Sequence, residues 1–163
     1  METIVFAGGC FWGVEAYFKQ IEGVEKVTSG YIDGHKENPT YEEVCTGSGH
    51  AEAVEVVYDP EEIGFYTLLK HFFNIIDPTL FNRQGNDIGS QYRSGIYNYT
   101  REQKKIIDKF IEDVKDDYDK PLQLTFKTGE PFYRAEEYHQ DYLEKNPGGY
   151  CHVNLDSVTD IEE

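Results

Sequence analysis

The chain has 163 residues, 39% of them hydrophobic and 15% aromatic, which supports one folded domain with a real core and excludes a disordered segment. Fifteen basic residues against 31 acidic ones leave a formal charge of −16. That balance argues against nucleic acid and anionic membranes as partners, because phosphate contacts need clustered Lys and Arg.

Thr3-Ile4-Val5-Phe6-Ala7 predicts a short buried strand. Val14, Tyr17, Phe18 and Ile21 recur at helical spacing, predicting a helix over 10–22 that Gly23 closes. A strand over 24–31 and a long polar loop over 33–50 follow. Residues 52–58 read as a strand stopped by Asp59-Pro60. Phe65, Leu68, Leu69, Phe72, Phe73 and Ile76 mark an amphipathic helix ended by Asp77-Pro78. His71 falls on its polar face and reads as solvated. A second polar loop covers 82–89, and 91–98 reads as a strand. Thr100 and Gln103 form a capping-box signature before the stripe Ile106, Ile107, Phe110, Ile111, Val114. Leu122, Leu124 and Phe126 alternate with polar residues, predicting a strand over 122–127 with one wet side. Ala135, Tyr138, His139, Tyr142 and Leu143 predict a last helix, stopped by Asn146-Pro147-Gly148-Gly149. The end of the chain is acidic and patternless.

About five strands and four helices in mixed order predict an α+β fold. It is a two-layer α/β sandwich, a mixed sheet covered by helices with a ferredoxin-like-related core. One catalytic domain spans 1–163, with 146–163 as a mobile C-terminal segment. No apolar run reaches transmembrane length, and Met1-Glu2-Thr3 lacks a signal-peptide start. Three cysteines are too few for a disulfide scaffold, so a reducing, cytoplasmic setting is the expectation.

The stretch richest in chemistry is Gly8-Gly9-Cys10-Phe11-Trp12-Gly13. Cys10 falls where a strand turns into a helix. Unpaired N–H groups and the helix dipole there favour a thiolate, and two aromatics supply an apolar wall. A buried, inert cysteine among core aromatics fits the same local pattern. Cys151, after a Gly-Gly pair, is either a partner thiol for redox cycling or an unused loop cysteine. Cys45 has no activating neighbour and reads as structural. No C-x-x-C or H-x-x-x-H spacing occurs, so neither a metal nor another cofactor is expected. Glu52 shares a strand face with Val54, Val56 and Tyr58. It is either buried with a raised pKa, and so a usable proton donor, or a solvated strand-end glutamate. Tyr41, Asp87 and Tyr92 lie in the two polar loops, where each on its own reads as packing or turn chemistry.

Gly9-Cys10-Phe11-Trp12-Gly13, Pro39-Thr40-Tyr41-Glu42-Glu43-Val44-Cys45, Gly49-His50-Ala51-Glu52-Ala53, Asn82-Arg83-Gln84-Gly85-Asn86-Asp87, Gln91-Tyr92-Arg93-Ser94 and Tyr142-Leu143-Glu144-Lys145-Asn146-Pro147 follow one another along the chain. In that order they resemble the peptide methionine sulfoxide reductase A family, over about residues 3–152. The resemblance implies reduction of methionine S-sulfoxide, free or in proteins. Cys10 would be the nucleophile, with Phe11 and Trp12 holding the S-methyl group. Glu52 would donate the proton, Tyr41 and Tyr92 would hold the sulfoxide oxygen, and Asp87 would orient this network. Cys151 would be the resolving cysteine, and a thioredoxin-like donor would reduce the Cys10–Cys151 disulfide. Many family members carry a further recycling cysteine, but no cysteine follows Cys151 here. The expected partners are oxidised proteins or peptides, free methionine sulfoxide and the thioredoxin-like reductant, around a monomer. The rival readings are a Cys-His acyl-transfer hydrolase, with His50, His139 or His152 as base, and a non-catalytic module that holds methionine side chains.

Overall fold

The computed structural model describes residues 1–161. In chain order the strands are β1 (Glu2–Gly8), β2 (Val24–Ile32), β3 (Ala51–Tyr58), β4 (Arg83–Gln84), β5 (Asp87–Ile88), β6 (Ser94–Tyr97), β7 (Thr125–Lys127) and β8 (Phe132–Arg134). The helices are α1 (Phe11–Lys19), α2 (Tyr41–Thr46), α3 (Phe65–Asn74), α4 (Arg101–Val114) and α5 (Tyr142–Lys145), with short 3-10 turns at Ser90–Tyr92, Lys115–Asp117, Glu137–His139 and Leu155–Asp160.

Six strands form one mixed sheet in the order β7-β6-β1-β3-β2-β8, with only the β6–β7 pair parallel. Alternation along the strands sorts the core. Ile4, Phe6, Val54, Val56 and Tyr58 face the layer of α1, α3 and α4, where they meet Val14, Phe18, Leu68, Phe72 and Phe110. Val5, Ala7, Ala51, Ala53 and Tyr97 face the other way into a smaller cluster closed by Phe132. Phe6 stacks on Phe72 with ring centroids 4.5 Å apart and on Phe18 at 5.3 Å, joining sheet and helices. This is the expected α+β two-layer arrangement. No helix among the described residues is long and apolar enough to cross a membrane.

Local differences from the sequence reading have identifiable causes. The 33–50 loop contains α2, started by a complete Thr40–Glu43 capping box. The 82–89 loop folds back as the β4–β5 hairpin. The expected 91–98 strand begins with a 3-10 turn and pairs only over β6, while β7 is shorter than 122–127 and β8 was not foreseen. The expected helix over 135–143 is broken by Asp141, held at φ +54°, into a 3-10 turn and α5. α1 stops at Lys19, before Gly23. His71 is buried, within 2.7 Å of the Tyr17 hydroxyl, and burial drops its pKa to about 4, so it is not a solvated residue. The tail beyond Cys151 packs on α1 through the 155–160 turn, where Gln20 Nε2 donates to the Leu155 carbonyl at 3.0 Å. Of the 146–163 segment, residues 162 and 163 lie outside the described residues.

Antiparallel pairing brings the C-terminal end of β1, the N-terminal ends of β3 and β6 and the C-terminal end of β2 to one end of the sheet. Cys10 and Glu52 are both at that end.

Candidate active site

β1 ends at Gly8, Gly9 turns the chain at φ +88°, and Cys10 is the N-cap of α1. The turn tolerates only glycine at position 9, both for its φ and for space. A Cβ there would lie 2.8 Å from Gln84 Cβ and 3.0 Å from His152 Nε2. Cys10 is 7% exposed. Burial pushes its thiol far above the usual range and the Glu52 charge adds to that, while the Trp12 backbone N–H pulls it down. The thiolate favoured by the helix terminus is therefore not the resting form. A helix dipole is worth about 0.3–1 kcal/mol, less than one pKa unit of about 1.36 kcal/mol, and desolvation beside carboxylates outweighs it.

Glu52 sits on β3 opposite Tyr31 and is 1% exposed, on the face with Val54, Val56 and Tyr58. Its Oε1 accepts the Phe11 backbone N–H at 3.2 Å, while Oε2 has no protein partner. Burial raises its pKa to about 8, opposed by the Phe11 N–H and assisted by Asp87. At pH 7 such a group is protonated about nine-tenths of the time. A protonated Glu52 supplies an acid beside Cys10 and also removes the negative charge that disfavours the Cys10 thiolate.

The apolar wall is built by side chains from distant parts of the chain. Phe11 is buried, its ring centroid 5.7 Å from Tyr31 and 5.1 Å from His139. Trp12 is half-buried, stacks on Tyr142 at 3.7 Å, and donates its indole N–H to His139 Nδ1 at 3.0 Å. Burial pushes the His139 pKa down, so the ring stays neutral and Nδ1 remains an acceptor. The Tyr41 ring lies 4.6 Å from His139. The Tyr41 backbone N–H donates to Glu136 Oε2 at 3.0 Å, and Glu136 Oε1 accepts the Tyr31 hydroxyl at 2.9 Å. Behind Trp12, buried Glu15 accepts the Asp141 N–H at 2.9 Å. That bond fixes the left-handed residue from which Tyr142 is launched. Burial raises the Glu15 pKa to about 7.

Tyr92 closes the turn before β6. Arg93 pins that turn by donating to the carbonyls of Ser90, Asp33 and Gly49 and to the Asp33 carboxylate. Burial above all, with Glu52 when ionised, raises the Tyr41 and Tyr92 hydroxyl pKa values and keeps both protonated; Asp87 and Cys10 act on Tyr92 as well. Cys10, Glu52, Asp87 and Tyr92 thus share one electrostatic field. Asp87 Oδ2 is buried without a protein partner.

The tail completes the site. A Cβ on Gly13 would lie 2.8 Å from Cys151 Sγ and 3.2 Å from Val153 Cγ2, so Gly13 makes room for the second thiol. Cys151 is half-buried and donates to the Val153 carbonyl at 3.1 Å. All three cysteines are free, and Cys45 is exposed on α2. The only group of His, Cys, Asp or Glu side chains spaced for a metal among the described residues is Glu25, Asp59 and Glu62. It lies at the opposite end of β2 and β3 from Glu52.

Of the residues singled out in the sequence, Glu52, Asp87, Tyr92 and Cys151 lie within electrostatic reach of Cys10, and Tyr41 within reach of Glu52. Glu15, Tyr142 and Tyr150 were not foreseen as parts of the site, and His139 and His152 were foreseen only as candidate bases of a hydrolase. For His139 the sequence signal was its apolar helical position, which gave the burial but not the indole bond. Tyr150 and His152 flank Cys151, and Asp87 acts on both. The histidines expected of a hydrolase are committed elsewhere: His50 to Gly34 N–H and the Lys36 carbonyl, His139 to Trp12, His152 to the Gly8 carbonyl.

The family model described as peptide methionine sulfoxide reductase matches residues 2–162. The chain is 52% identical over 158 residues to the peptide methionine sulfoxide reductase MsrA of Mycoplasma genitalium, covering 96% of this chain and 100% of that protein. The reduced form of Mxr1 from Saccharomyces cerevisiae superposes with a TM-score of 0.88 at 35% identity, over 94% of this chain and 91% of that one. Mxr1 in complex with Trx2 matches with a TM-score of 0.62 at 25% identity, over 86% and 84% of the two chains. The chain belongs to the peptide methionine sulfoxide reductase family, and is an enzyme that reduces methionine sulfoxide.

Proposed function

We propose that the enzyme reduces the S epimer of methionine sulfoxide by a two-thiol cycle, with Cys10 as nucleophile and Cys151 as resolving thiol. The observation that carries the acid step is the 1% exposed Glu52, with its pKa raised to about 8 and an unpartnered Oε2. Cys10 sulfur attacks the sulfoxide sulfur while Glu52 delivers its proton to the oxygen. The oxygen passes to Cys10 as a sulfenic acid and methionine leaves, so the sulfoxide gains two electrons that the thiol loses. Tyr41 and Tyr92, kept protonated, donate hydrogen bonds to the oxygen, and Phe11 and Trp12 seat the methyl group. Asp87 orients the network. Cys151 then attacks Cys10 sulfur, forming the disulfide and releasing water.

A thioredoxin-type dithiol takes up the disulfide, consistent with a yeast relative having been crystallised with Trx2. Gly148, where an added Cβ would meet nothing within 4 Å, gives the tail a point at which to move Cys151 onto Cys10. The cycle starts from free thiols, which fits a reducing, cytoplasmic setting. Incubation with each epimer followed by disulfide mapping tests the reading. A Cys10–Cys151 peptide forming with the S epimer alone is the expected result. Its formation with the R epimer, or reduction with no such disulfide, overturns it.

A further inference from the structure

We propose that His152 is a positioning residue for disulfide formation, its ring clamping the tail across the nucleophile turn so that Cys151 faces Cys10. This rests on the reading of Cys151 as the resolving thiol. Two glycines flank Cys10, and each makes room for one of two consecutive tail residues. The ring of His152 lies over Gly9, where a Cβ would come within 3.0 Å of Nε2. Cys151 Sγ lies over Gly13, where a Cβ would come within 2.8 Å. The tail therefore straddles Cys10, with the imidazole on one side and the thiol on the other.

The clamp is a single bond. His152 Nε2 donates to the Gly8 carbonyl at 3.0 Å, which puts the ring hydrogen on Nε2 and the lone pair on Nδ1. Nδ1 is buried without a protein partner, so no second bond fixes the ring. Gly8 is the last residue of β1. The bond thus ties the tail to the sheet two residues from the nucleophile. The Cys151 thiol has its own bond to the Val153 carbonyl, inside the tail. That bond holds the thiol to Val153, which is buried against Gly13 on the α1 side, so the His152 bond is what holds the tail on the β1 side of Cys10.

In the step concerned, Cys151 sulfur forms a bond to Cys10 sulfur and the S–O bond of the sulfenic acid breaks. The departing hydroxide takes a proton, and the thiol proton of Cys151 balances it as water. Final sulfur–sulfur separation is about 2.05 Å, so a misplaced tail slows this step directly, whereas the sulfoxide step does not use Cys151.

The test is a single-turnover experiment on the full chain with methionine S-sulfoxide. It follows released methionine, a sulfenic-acid probe on Cys10, and the Cys10–Cys151 disulfide. His152→Ala is expected to slow disulfide formation roughly 10- to 100-fold while slowing methionine release far less, so that the sulfenic acid becomes trappable. His152→Gln, which restores an N–H donor, is expected to recover most of the disulfide rate. Equal slowing of both steps, no slowing of the second, or no recovery in His152→Gln overturns the inference. Cys151→Ser separates the two claims. If it still turns over with thioredoxin like the parent enzyme, the resolving role fails and this inference with it. If it traps the sulfenic acid while His152→Ala does not, only the role of His152 fails.

Discussion

Glu52 reaches Cys10 from the second residue of a strand paired on both sides, whereas Cys151 reaches it on a stretch between α5 and the final 3-10 turn. The acid is fixed by sheet registers and buried on both faces. The thiol is placed by two glycine gaps, a few polar bonds and the core packing of its neighbour Val153. The difference follows the chemistry. A proton donor gains from desolvation and loses from motion, so it belongs on a central strand. A resolving thiol must approach to bonding distance, so it belongs where few contacts have to break.

Breaking the fixed side has the largest expected effect. Glu52→Gln keeps an acceptor for Phe11 N–H but has no acidic proton, and should slow single-turnover methionine release by about 10²- to 10⁴-fold. The same substitution should stabilise the fold in alkali. Folding raises the Glu52 pKa from an ordinary carboxylate value to about 8. Its stabilising contribution is therefore complete below about pH 4 and lost as pH rises through about 8. Urea melts at pH 5 and pH 9 should show the Gln variant gaining a few kcal/mol on the parent between them. Parallel pH dependence in the two proteins would show that Glu52 is ordinarily ionised.

The wall comes next. Trp12→Ala removes a ring stacked on Tyr142 and should raise KM for methionine sulfoxide by roughly 10-fold or more, with a smaller change in kcat. His139→Ala leaves the indole N–H unpaired, and at about 1 kcal/mol should cost roughly 5-fold in KM. A kcat loss with unchanged KM would instead place His139 in the chemistry. The smallest effect is expected at Cys45→Ser. Cys45 is exposed on α2, so turnover and the mapped Cys10–Cys151 disulfide should both be unchanged.

Legibility followed the range of the forces involved. β1, β3, α3 and α4 were readable because period and caps are local, and the Thr100–Gln103 box appears as the sequence suggests. The equivalent Thr40–Glu43 box was present in the sequence but hidden by the polar composition around α2. The break at Asp141 was unreadable, because the bond that holds it comes from Glu15, 126 residues away. His71 looked solvated on its helix, yet the Tyr17 hydroxyl, 54 residues away, receives it in the core.

By itself the sequence determined the chemical inventory: a thiol at a helix start, two aromatics beside it, a carboxyl on an apolar strand face, and a second thiol after a Gly-Gly pair. Only the tertiary structure decided the protonation states. It buries Cys10 and so keeps the thiol neutral, where local reasoning from the helix dipole favours the thiolate. It also decided what Gly9 and Gly13 are for, since the ring and the sulfur that fill those gaps come from the far end of the chain. Desolvation and through-space fields depend on distance in the folded molecule, which separation along the chain does not specify.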